Sequence, residues 1–478
     1  MYIIRMIINN ILSVIVLLFA LSFIKEIIEM RKLSLIAFVL LAASNAKTLE
    51  EAIKDVEVEG YLRYEYEDNR FRNREFNKQG EKSGDVIHTW HAEAEFKTPT
   101  LNNIALNFGL YYDNENNVNH GKGEYDDATE HQSGFLGDGL GAGADSGTLG
   151  VSTFYATITP DLTNTIINAG KMRLNTPYND NEEDRGTGIF ISNADIPFLI
   201  LSAGYFDSWA LDDLDDDLPK MAIDKPFYTL GATFNHETSL GNFNADLWGF
   251  HIDDIMEYSF FGWFGYSHSI FLASLQYAYT KIDSEGINNV MNAIGAFNGI
   301  PSANNLYKKY NDFLSIDVGL DFESLDVPAT INLGYITNTR DNFAVGLDDE
   351  GMLQKVGAVW FDNNEATQVN FSAINGAIEK GTKKDLNVFY ASATYGLLDT
   401  LTFGIDYVQG RNKVTTMGDK VNIDFYEITP NILYSLNDNT EILVYYAFLK
   451  TKRSGNYVLP DTNSERRNQF KIEAVYSF

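Results

Sequence analysis

The chain has 478 residues, of which 45% are hydrophobic and 13% aromatic, and it contains no cysteine. The absence of cysteine excludes disulfides, thiolate metal sites and cysteine nucleophiles. A formal net charge of −30 would repel phosphate, so the sequence predicts no nucleic-acid partner. Small cations or basic solutes suit such an acidic field better.

The N-terminus contains two apolar stretches, residues 11–24 and 33–43. The second stretch follows the basic start Met30-Arg31-Lys32 and precedes the small residues Ser44 and Ala46, an order that is typical of a cleaved secretory signal. The alternative is an inner-membrane anchor, but neither stretch reaches the roughly 20 apolar residues that a spanning helix needs. We therefore predict cleavage after Ala46.

This interpretation divides the chain into three parts. Residues 30–46 are the predicted signal peptide, and residues 47–478 are the predicted pore domain. Residues 1–29 are interpreted as an upstream extension that results from a mis-called start, because translation from Met30 would already supply a complete signal.

From residue 56 onwards the sequence alternates with a period of two. Val58, Leu62 and Tyr64 alternate with charged residues such as Glu59 and Arg63. Because successive side chains of a strand point to opposite faces, this pattern predicts strands with one apolar and one polar face. A soluble β-sandwich would bury the apolar face, whereas a membrane barrel would present it to lipid.

The lengths of the connections decide between these two architectures. Short turns alternate along the chain with longer polar segments, which is the asymmetry of outer-membrane barrels. Eight turns and nine loops join 18 strands, so we predict an all-β, 18-stranded transmembrane antiparallel barrel with short periplasmic turns and long external loops. The turns are predicted near 98–103, 160–164, 193–197, 238–242, 265–267, 323–328, 397–400 and 437–440, and the loops at 67–85, 113–150, 174–186, 207–226, 252–255, 282–312, 339–385, 410–420 and 451–464.

The C-terminal segment has the pattern of a strand that closes a barrel. Its apolar residues share one face, while Lys471 and Glu473 face the other way. Lipid cannot satisfy the open edge of a sheet, so the last strand must pair with the first. A terminal aromatic is common in barrel precursors, whose end is read by the barrel-assembly machinery. The apolar face consists of Phe470, Ile472, Ala474, Tyr476 and Phe478.

Four blocks of the sequence resemble the Campylobacter-type major outer membrane porins. This resemblance implies an 18-stranded homotrimeric barrel in the outer membrane of a Gram-negative bacterium, with a constricted, cation-preferring pore. It also implies a calcium ion as a candidate ligand, although no calcium ligand can be matched residue by residue. The blocks are residues 48–56, 60–64, 169–176 and 186–189.

The third loop is the candidate constriction, since the third loop of porins folds inward. Its acids are predicted to face bases on the strands across a narrow pore, and such an arrangement would orient polar solutes and set the ion preference. The alternative is a solvated acidic loop outside the barrel. The predicted constriction consists of the acids Asp180, Glu182, Glu183 and Asp184 and the lumen-facing bases Arg63, Lys171 and Arg173.

A second acidic segment is a weak metal candidate. Several convergent oxygens can bind a hard cation, but the spacing of an EF-hand loop is absent, so a solvated surface is the preferred interpretation. Its carboxylates belong to Asp212, Asp213, Asp215, Asp216 and Asp217.

The predicted function is passive diffusion of ions and small hydrophilic solutes through a cation-selective porin that needs no cofactor. One alternative is a substrate-selective channel, and another is a surface adhesin whose long loops 113–150 and 339–385 bind ligands. A barrel hydrolase has no support, because the sequence contains neither His-Glu-x-x-His nor Gly-x-Ser-x-Gly, and we therefore predict that the protein is not an enzyme.

Overall fold

The computed structural model describes residues 56–73, 82–119, 148–211, 223–293, 306–348, 351–361, 366–455 and 464–478. The chain divides into two compact units, Met1–Glu57 and Val58–Phe478, and nearly all described residues belong to the second. The predicted extension, signal peptide and cleavage site lie outside the described residues.

The described chain consists almost entirely of strands. A short helix, α1 (Gly286–Ala293), and a 3-10 turn (Glu323–Leu325) interrupt them. The strands are β1 (Glu57–Arg72), β2 (Lys82–Lys97), β3 (Ile104–Asn119), β4 (Thr148–Ile158), β5 (Thr165–Arg173), β6 (Arg185–Ile196), β7 (Leu199–Ala210), β8 (Phe227–Thr238), β9 (Gly241–Ile252), β10 (Met256–His268), β11 (Phe271–Ile282), β12 (Tyr310–Asp321), β13 (Ala329–Thr337), β14 (Thr382–Leu398), β15 (Leu401–Thr416), β16 (Asp419–Asn437), β17 (Thr440–Gly455) and β18 (Ser464–Ser477).

The 18 strands form one closed antiparallel sheet, which confirms the predicted barrel. Each strand pairs with its neighbours in the chain, and β18 closes the ring by pairing with β1. Tyr476 lies opposite Leu62, and Ile472 lies opposite Tyr66, so the apolar stripe of β18 continues across the closure. Closure pairs the backbone of both end strands along their length, as the lipid environment requires.

The end of the chain is held by a glycine on β1. Gly60 exchanges backbone hydrogen bonds with Phe478, with N–O distances of 2.9 and 3.0 Å. A Cβ atom at Gly60 would lie 2.2 Å from the carbonyl oxygen of Glu93 and 2.8 Å from the ring of Phe478. Only glycine therefore allows β1 to approach β2 and the terminal ring this closely.

The predicted alternation of short turns and longer loops is present, although strands extend into the ends of predicted loops, for example at 67–72 and 113–119. Two other positions differ more. The fifth turn lies at 269–270 between β10 and β11, not at 265–267. The segment 410–420, predicted as a loop, is mostly strand, and only Met417 and Gly418 connect β15 to β16. Both connecting residues have positive φ, at 51° and 98°, as a tight hairpin requires.

The two faces of the sheet differ in polarity. Apolar side chains on the outer face are exposed, as shown by Leu62 at 51% and Phe389 at 63%. In β16, Glu427 points the other way and is fully buried, although its neighbours Tyr426 and Ile428 are exposed. The exposed apolar face is the lipid-facing wall and the opposite face lines the lumen. Within the described ranges, no helix has the length and apolarity needed to cross a membrane.

Much of the lumen is filled by two inward-folded loops. We define loop 3 as residues 174–184, between β5 and β6, and loop 7 as residues 338–381, between β13 and β14. Phe343, Trp360 and Phe371 of loop 7 are fully buried. The prediction that 339–385 projects outside as an external loop is therefore wrong. Apolar side chains of the inner wall, from β5 round to β17, pack with these loops in one cluster that includes Met172, Phe206, Phe227, Phe250, Phe261, Phe313, Val388, Val408, Phe425 and Leu449.

Candidate pore constriction

Loop 3 reaches across the barrel from one wall to the opposite one. At one end, the guanidinium of Arg63 on β1 forms ion pairs with Glu182, at 3.3 Å, and with Glu183. At the other end, the hydroxyl of Tyr178 donates a hydrogen bond of 3.0 Å to the carbonyl oxygen of Phe260 on β10. Because β1 and β10 lie nine positions apart in either direction around the 18-stranded ring, loop 3 lies inside the lumen.

Tyr178 is the buried anchor of this loop. Its ring stacks on Phe250 with a centroid distance of 4.4 Å, and its oxygen also accepts a hydrogen bond from Ser259, at 3.0 Å. Burial raises the pKa of the Tyr178 hydroxyl, because the phenolate would lose its hydration. The hydroxyl therefore remains a hydrogen-bond donor at neutral pH.

The four predicted acids of loop 3 have different surroundings. Glu182 and Glu183 contact Arg63, as described above. Asp180 turns back on its own loop and accepts a hydrogen bond from the backbone N–H of Glu182, at 2.7 Å. Asp184 is fully buried and accepts a hydrogen bond from the amide of Asn179, at 2.8 Å. Asp184 therefore lies within loop 3 rather than on the lumen surface, which corrects the prediction that all four carboxylates line the constriction.

Direct contact replaces the predicted gap between acids and bases at Arg63. Its ion pairs with loop 3 close the space between β1 and the loop, so solutes cannot pass between these particular charges. Arg63 also lies 3.6 Å from Glu65 on the same strand. The charges form a paired cluster along the wall, and the predicted transverse field between separated rows is not the arrangement observed.

Glu93 on β2 is a central member of the cluster that the sequence analysis missed. Its side chain has no exposed surface, and its carboxylate lies 2.9 Å from the guanidinium of Arg173 and 3.0 Å from that of Arg185. Two guanidiniums, at the end of β5 and the start of β6, thus share one buried carboxylate. The alternation of β2 could have identified Glu93. Glu93 and Glu95 share the lumen face, whereas Ala92 and Ala94 share the opposite face.

A third group of charges lies beside the closure of the barrel. The ammonium of Lys471 on β18 lies 3.2 Å from Glu65, 3.5 Å from Glu67 and 3.6 Å from Glu473. Three carboxylates surround one base there, so this part of the wall is acidic. The lumen side of β1, β2 and β18 thus carries clustered charges.

Lys171 does not share the position of Arg173. It lies directly opposite Phe154, whose ring is 50% exposed, and opposite residues of an antiparallel pair point to the same side. Its ammonium donates a hydrogen bond of 2.5 Å to the carbonyl oxygen of Val151. The prediction that Lys171 faces the lumen with Arg173 is therefore wrong, because the regular alternation of β5 does not continue to its last residue.

Loop 7 is fastened to the inner wall by polar side chains of several strands. The amide of Gln276 on β11 donates to the carbonyl of Met352 and accepts from the N–H of Gln354, at 2.8 and 2.7 Å. Asn412 on β15 donates to the carbonyl oxygens of Thr367 and Gln368, each at 3.0 Å. These contacts satisfy backbone groups that burial would otherwise leave unpaired.

Loop 7 in turn supports loop 3. The N–H groups of Leu347 and Asp348 both donate to the carbonyl oxygen of Tyr178, at 3.1 and 2.9 Å. The N–H of Met352 donates to the carbonyl oxygen of Pro177, at 2.9 Å. The two loops therefore form one internal body, and Glu182 and Glu183, which contact Arg63, form its acidic rim toward β1.

The structure provides no support for a metal site in the residues it describes. No group of three or more His, Cys, Asp or Glu side chains is arranged to hold an ion there. The weak candidates Asp212, Asp213, Asp215, Asp216 and Asp217 lie outside the described residues.

Comparison with known families matches nearly the whole chain. A family model described as Campylobacter major outer membrane protein matches residues 28–476. No curated protein matches the sequence.

Several solved outer-membrane channels have a similar fold. The BenF-like porin from Pseudomonas fluorescens Pf-5 is 16% identical, with a TM-score of 0.56, and the match covers 89% of this chain and 99% of that one. OccAB1 from Acinetobacter baumannii is 12% identical, with a TM-score of 0.57, and 91% of this chain and 100% of that one are covered. OccK3 (OpdO) from Pseudomonas aeruginosa is 11% identical, with a TM-score of 0.54 and coverages of 90% and 100%. At these identities the likeness establishes the shared barrel fold alone.

Proposed function

This chain belongs to the Campylobacter major outer membrane protein family and is an outer-membrane porin, and from that premise we propose that it conducts cations and small hydrophilic solutes by passive diffusion. No chemical step is involved, and the fold points to a channel rather than an enzyme. The proposal concerns the route through the lumen and the sign of its selectivity.

The observation that carries the proposal is the division of the inner wall into two parts. From β5 to β17 many inner side chains form an apolar cluster with loops 3 and 7, which cover this part of the wall. On β18, β1 and β2 it is lined by charged side chains such as Lys471, Glu65 and Glu67. Hydrated solutes avoid a packed apolar body, so the proposed route follows the charged wall past the rim of loop 3.

The balance of charge along this route favours cations. Its described side chains include more carboxylates than bases, and the whole chain carries a net charge of −30. A surplus of one sign at a narrow passage sets which ions pass more readily. The carboxylates in the ion pairs described above are Glu65, Glu67, Glu93, Glu182, Glu183 and Glu473, and their bases are Arg63, Arg173, Arg185 and Lys471.

The decisive experiment measures the reversal potential of the protein in planar lipid bilayers across a KCl gradient. We expect cation selectivity in the wild type and a ratio of K⁺ to Cl⁻ permeability about twofold lower in the double variant E182Q/E183Q, since Arg63 then lacks its two loop partners. The matched control is E237Q, which neutralises a carboxylate at the turn end of β8. An anion-selective wild type, or an unchanged ratio in the double variant, would contradict the assignment.

A substrate-selective channel is the second candidate, favoured by the aromatic and basic side chains on the same wall. The ring of Tyr61 stacks on that of His91 with a centroid distance of 5.3 Å, and the guanidinium of Arg63 lies 5.9 Å from the Tyr61 ring. Such groups can bind a polar solute with a planar face. A solute that blocks ionic current in a saturable, competitive manner would favour this candidate over general diffusion.

The adhesin alternative loses one of its two proposed surfaces, because the central residues of loop 7 are buried in the lumen. The other segment, 113–150, lies largely outside the described residues. The homotrimer and the calcium ion also remain proposals. Conductance in steps of three would support the trimer, and a loss of thermal stability on adding a calcium chelator would support the ion.

A further inference from the structure

Glu427 on β16 is a fully buried carboxylate in the wall of the lumen, and no part of the proposed conduction route uses it. Its Oε1 accepts a hydrogen bond from the N–H of Ala358, at 2.5 Å, and its Oε2 accepts one from the N–H of Val359, at 3.1 Å. The hydroxyl of Thr429 donates to Oε1 as well, at 2.7 Å. Successive backbone N–H groups of a turn form a concave site that binds an anion, and here the anion is a side chain of the barrel itself.

The local sequence of loop 7 is shaped around this carboxylate. Gly357 has a φ of 92°, and a Cβ atom there would lie 2.6 Å from Oε1 of Glu427. Trp360, which follows the turn, stacks on Phe425 with a centroid distance of 5.6 Å. Phe425 lies two residues before Glu427 on the same inner face. The segment from Gly357 to Trp360 is thus arranged around Glu427 by a glycine, two N–H donors and a stacked indole.

The turn at 357–360 is connected to the acidic rim by a short series of backbone contacts. From the turn, loop 7 runs back to Met352, whose N–H is bonded to Pro177, and to Leu347 and Asp348, which bind the carbonyl of Tyr178. Loop 3 then continues to Glu182 and its ion pair with Arg63. The position of the rim therefore depends on a body that is fastened at Glu427.

We infer that Glu427 is a positioning residue of the channel: by fastening loop 7, it holds loop 3 and its two rim carboxylates in the conducting route. The inference rests on the proposed role of Glu182 and Glu183 in cation selectivity. It assigns the effect of Glu427 to the loops and not to its own charge, which is fully buried beneath loop 7 on β16.

The first test measures the E427Q variant of the full-length protein in planar bilayers. Glutamine keeps the shape and one acceptor oxygen, but its NH₂ group meets the N–H donor that the other oxygen accepted, so the anchor loses its charge and one hydrogen bond. We expect conductance to rise by about 1.5-fold and the K⁺ to Cl⁻ permeability ratio to fall by about twofold, as the loops leave the lumen wall. The control is E441Q, the same change at an exposed carboxylate near the start of β17, for which we expect neither change.

The background E182Q/E183Q separates positioning from a direct charge effect. If Glu427 acts through the rim, E427Q changes the permeability ratio of the wild type but leaves that of the E182Q/E183Q variant unchanged. An equal further fall in that background would assign the effect to the charge of Glu427 and overturn the inference.

Hydrogen exchange of residues 356–361 provides a readout that does not depend on conduction. We expect exchange about tenfold faster in E427Q than in the wild type or E441Q, because one of the donors of Ala358 and Val359 loses its acceptor and the other loses a charged one. Unchanged exchange would overturn the inference. A wild type that lacks cation selectivity, with exchange that still accelerates in E427Q, would instead contradict the proposed function alone.

A second variant covers the case in which E427Q fails to assemble. Because the chain contains no cysteine, A358C/E427C can be bridged with a short, reducible bis-methanethiosulfonate and assembled in that form. Bridged channels should conduct as the wild type does, and reduction in the bilayer should raise conductance by about 1.5-fold. No change on reduction would overturn the inference.

Discussion

Glu93 shows how strongly one residue can depend on its neighbours in this lumen. Its carboxylate has no exposed surface and lies between the guanidiniums of Arg173 and Arg185. Removal of one partner from such a buried group leaves the other charges uncompensated. The resulting loss in the free energy of unfolding is larger than the stabilisation that the intact group provides. The residue thus affects both the stability of the wall and its electrostatic field.

We predict that E93Q lowers both stability and cation selectivity. Two uncompensated guanidiniums should reduce the free energy of unfolding by about 3 kcal/mol and lower the K⁺ to Cl⁻ permeability ratio. Urea unfolding in lipid bilayers and reversal potentials measure the two effects, and E323Q, in the exposed turn between β12 and β13, is the control. A ratio equal to that of the wild type would show that this wall does not contact the permeating ions.

Gly60 permits a second test at the scale of a single residue. We predict that G60A impairs closure of the barrel, because its methyl group would meet the carbonyl of Glu93 and the ring of Phe478. The measurement is the temperature at which the folded band disappears in gel electrophoresis. G249A is a matched control, since the nearest atom to a Cβ at Gly249 is 3.9 Å away. Equal melting of both variants would contradict the prediction.

At the scale of elements, loop 3 is positioned by its buried tyrosine. We predict that Y178F weakens the attachment of loop 3 by about 1 kcal/mol, because the hydrogen bonds to Phe260 and Ser259 are lost while the ring still packs on Phe250. The expected result is a noisier open channel with more frequent changes of conductance level. Y434F, at an exposed tyrosine of β16, should behave as the wild type. Identical noise in both variants would show that the hydroxyl does not fasten the loop.

The strands could be predicted from the sequence because lipid imposes a simple alternation on their outer face. The same alternation led to two errors at strand ends. Polar side chains at Arg411 and Lys413 predicted a loop, whereas they lie in β15 and continue its pairing with β16. Lys171 was assigned to the lumen by counting from Arg173, although its strand partner is the outward Phe154.

The inward fold of loop 7 could not be predicted in the same way, because it depends on contacts between distant parts of the chain. A local signal was nevertheless present in β14. Leu386 and Val388 are fully buried on the inner face, while Phe389 is 63% exposed on the outer face. A strand that borders a water-filled lumen is expected to be polar on its inner face. Apolar residues on both faces of a strand therefore indicate that a folded segment packs against it inside the barrel. Glu427 gave no such signal, since a single acid on an inner face is expected in any porin.

At the scale of the whole molecule, the charge surplus should make selectivity depend on ionic strength. We predict that the K⁺ to Cl⁻ permeability ratio falls as salt rises from 0.1 to 1 M, because the screening length shortens from about 10 to about 3 Å. Reversal potentials at a constant salt ratio and increasing mean concentration measure this. A ratio that does not vary would indicate selection by direct ligand contact, as in a substrate-selective channel.

The hairpin of β15 and β16 has a consequence for recognition at the cell surface. β16 contains 19 residues, well beyond the roughly 9–11 that a tilted strand needs to cross the bilayer, and Met417 at its tip is 85% exposed. A paired ribbon therefore extends beyond the lipid where an external loop was predicted. An antibody or phage protein that binds this tip would bind a preformed structure, so little conformational entropy is lost on binding. It should therefore bind the folded barrel with higher affinity than a linear peptide of the same sequence.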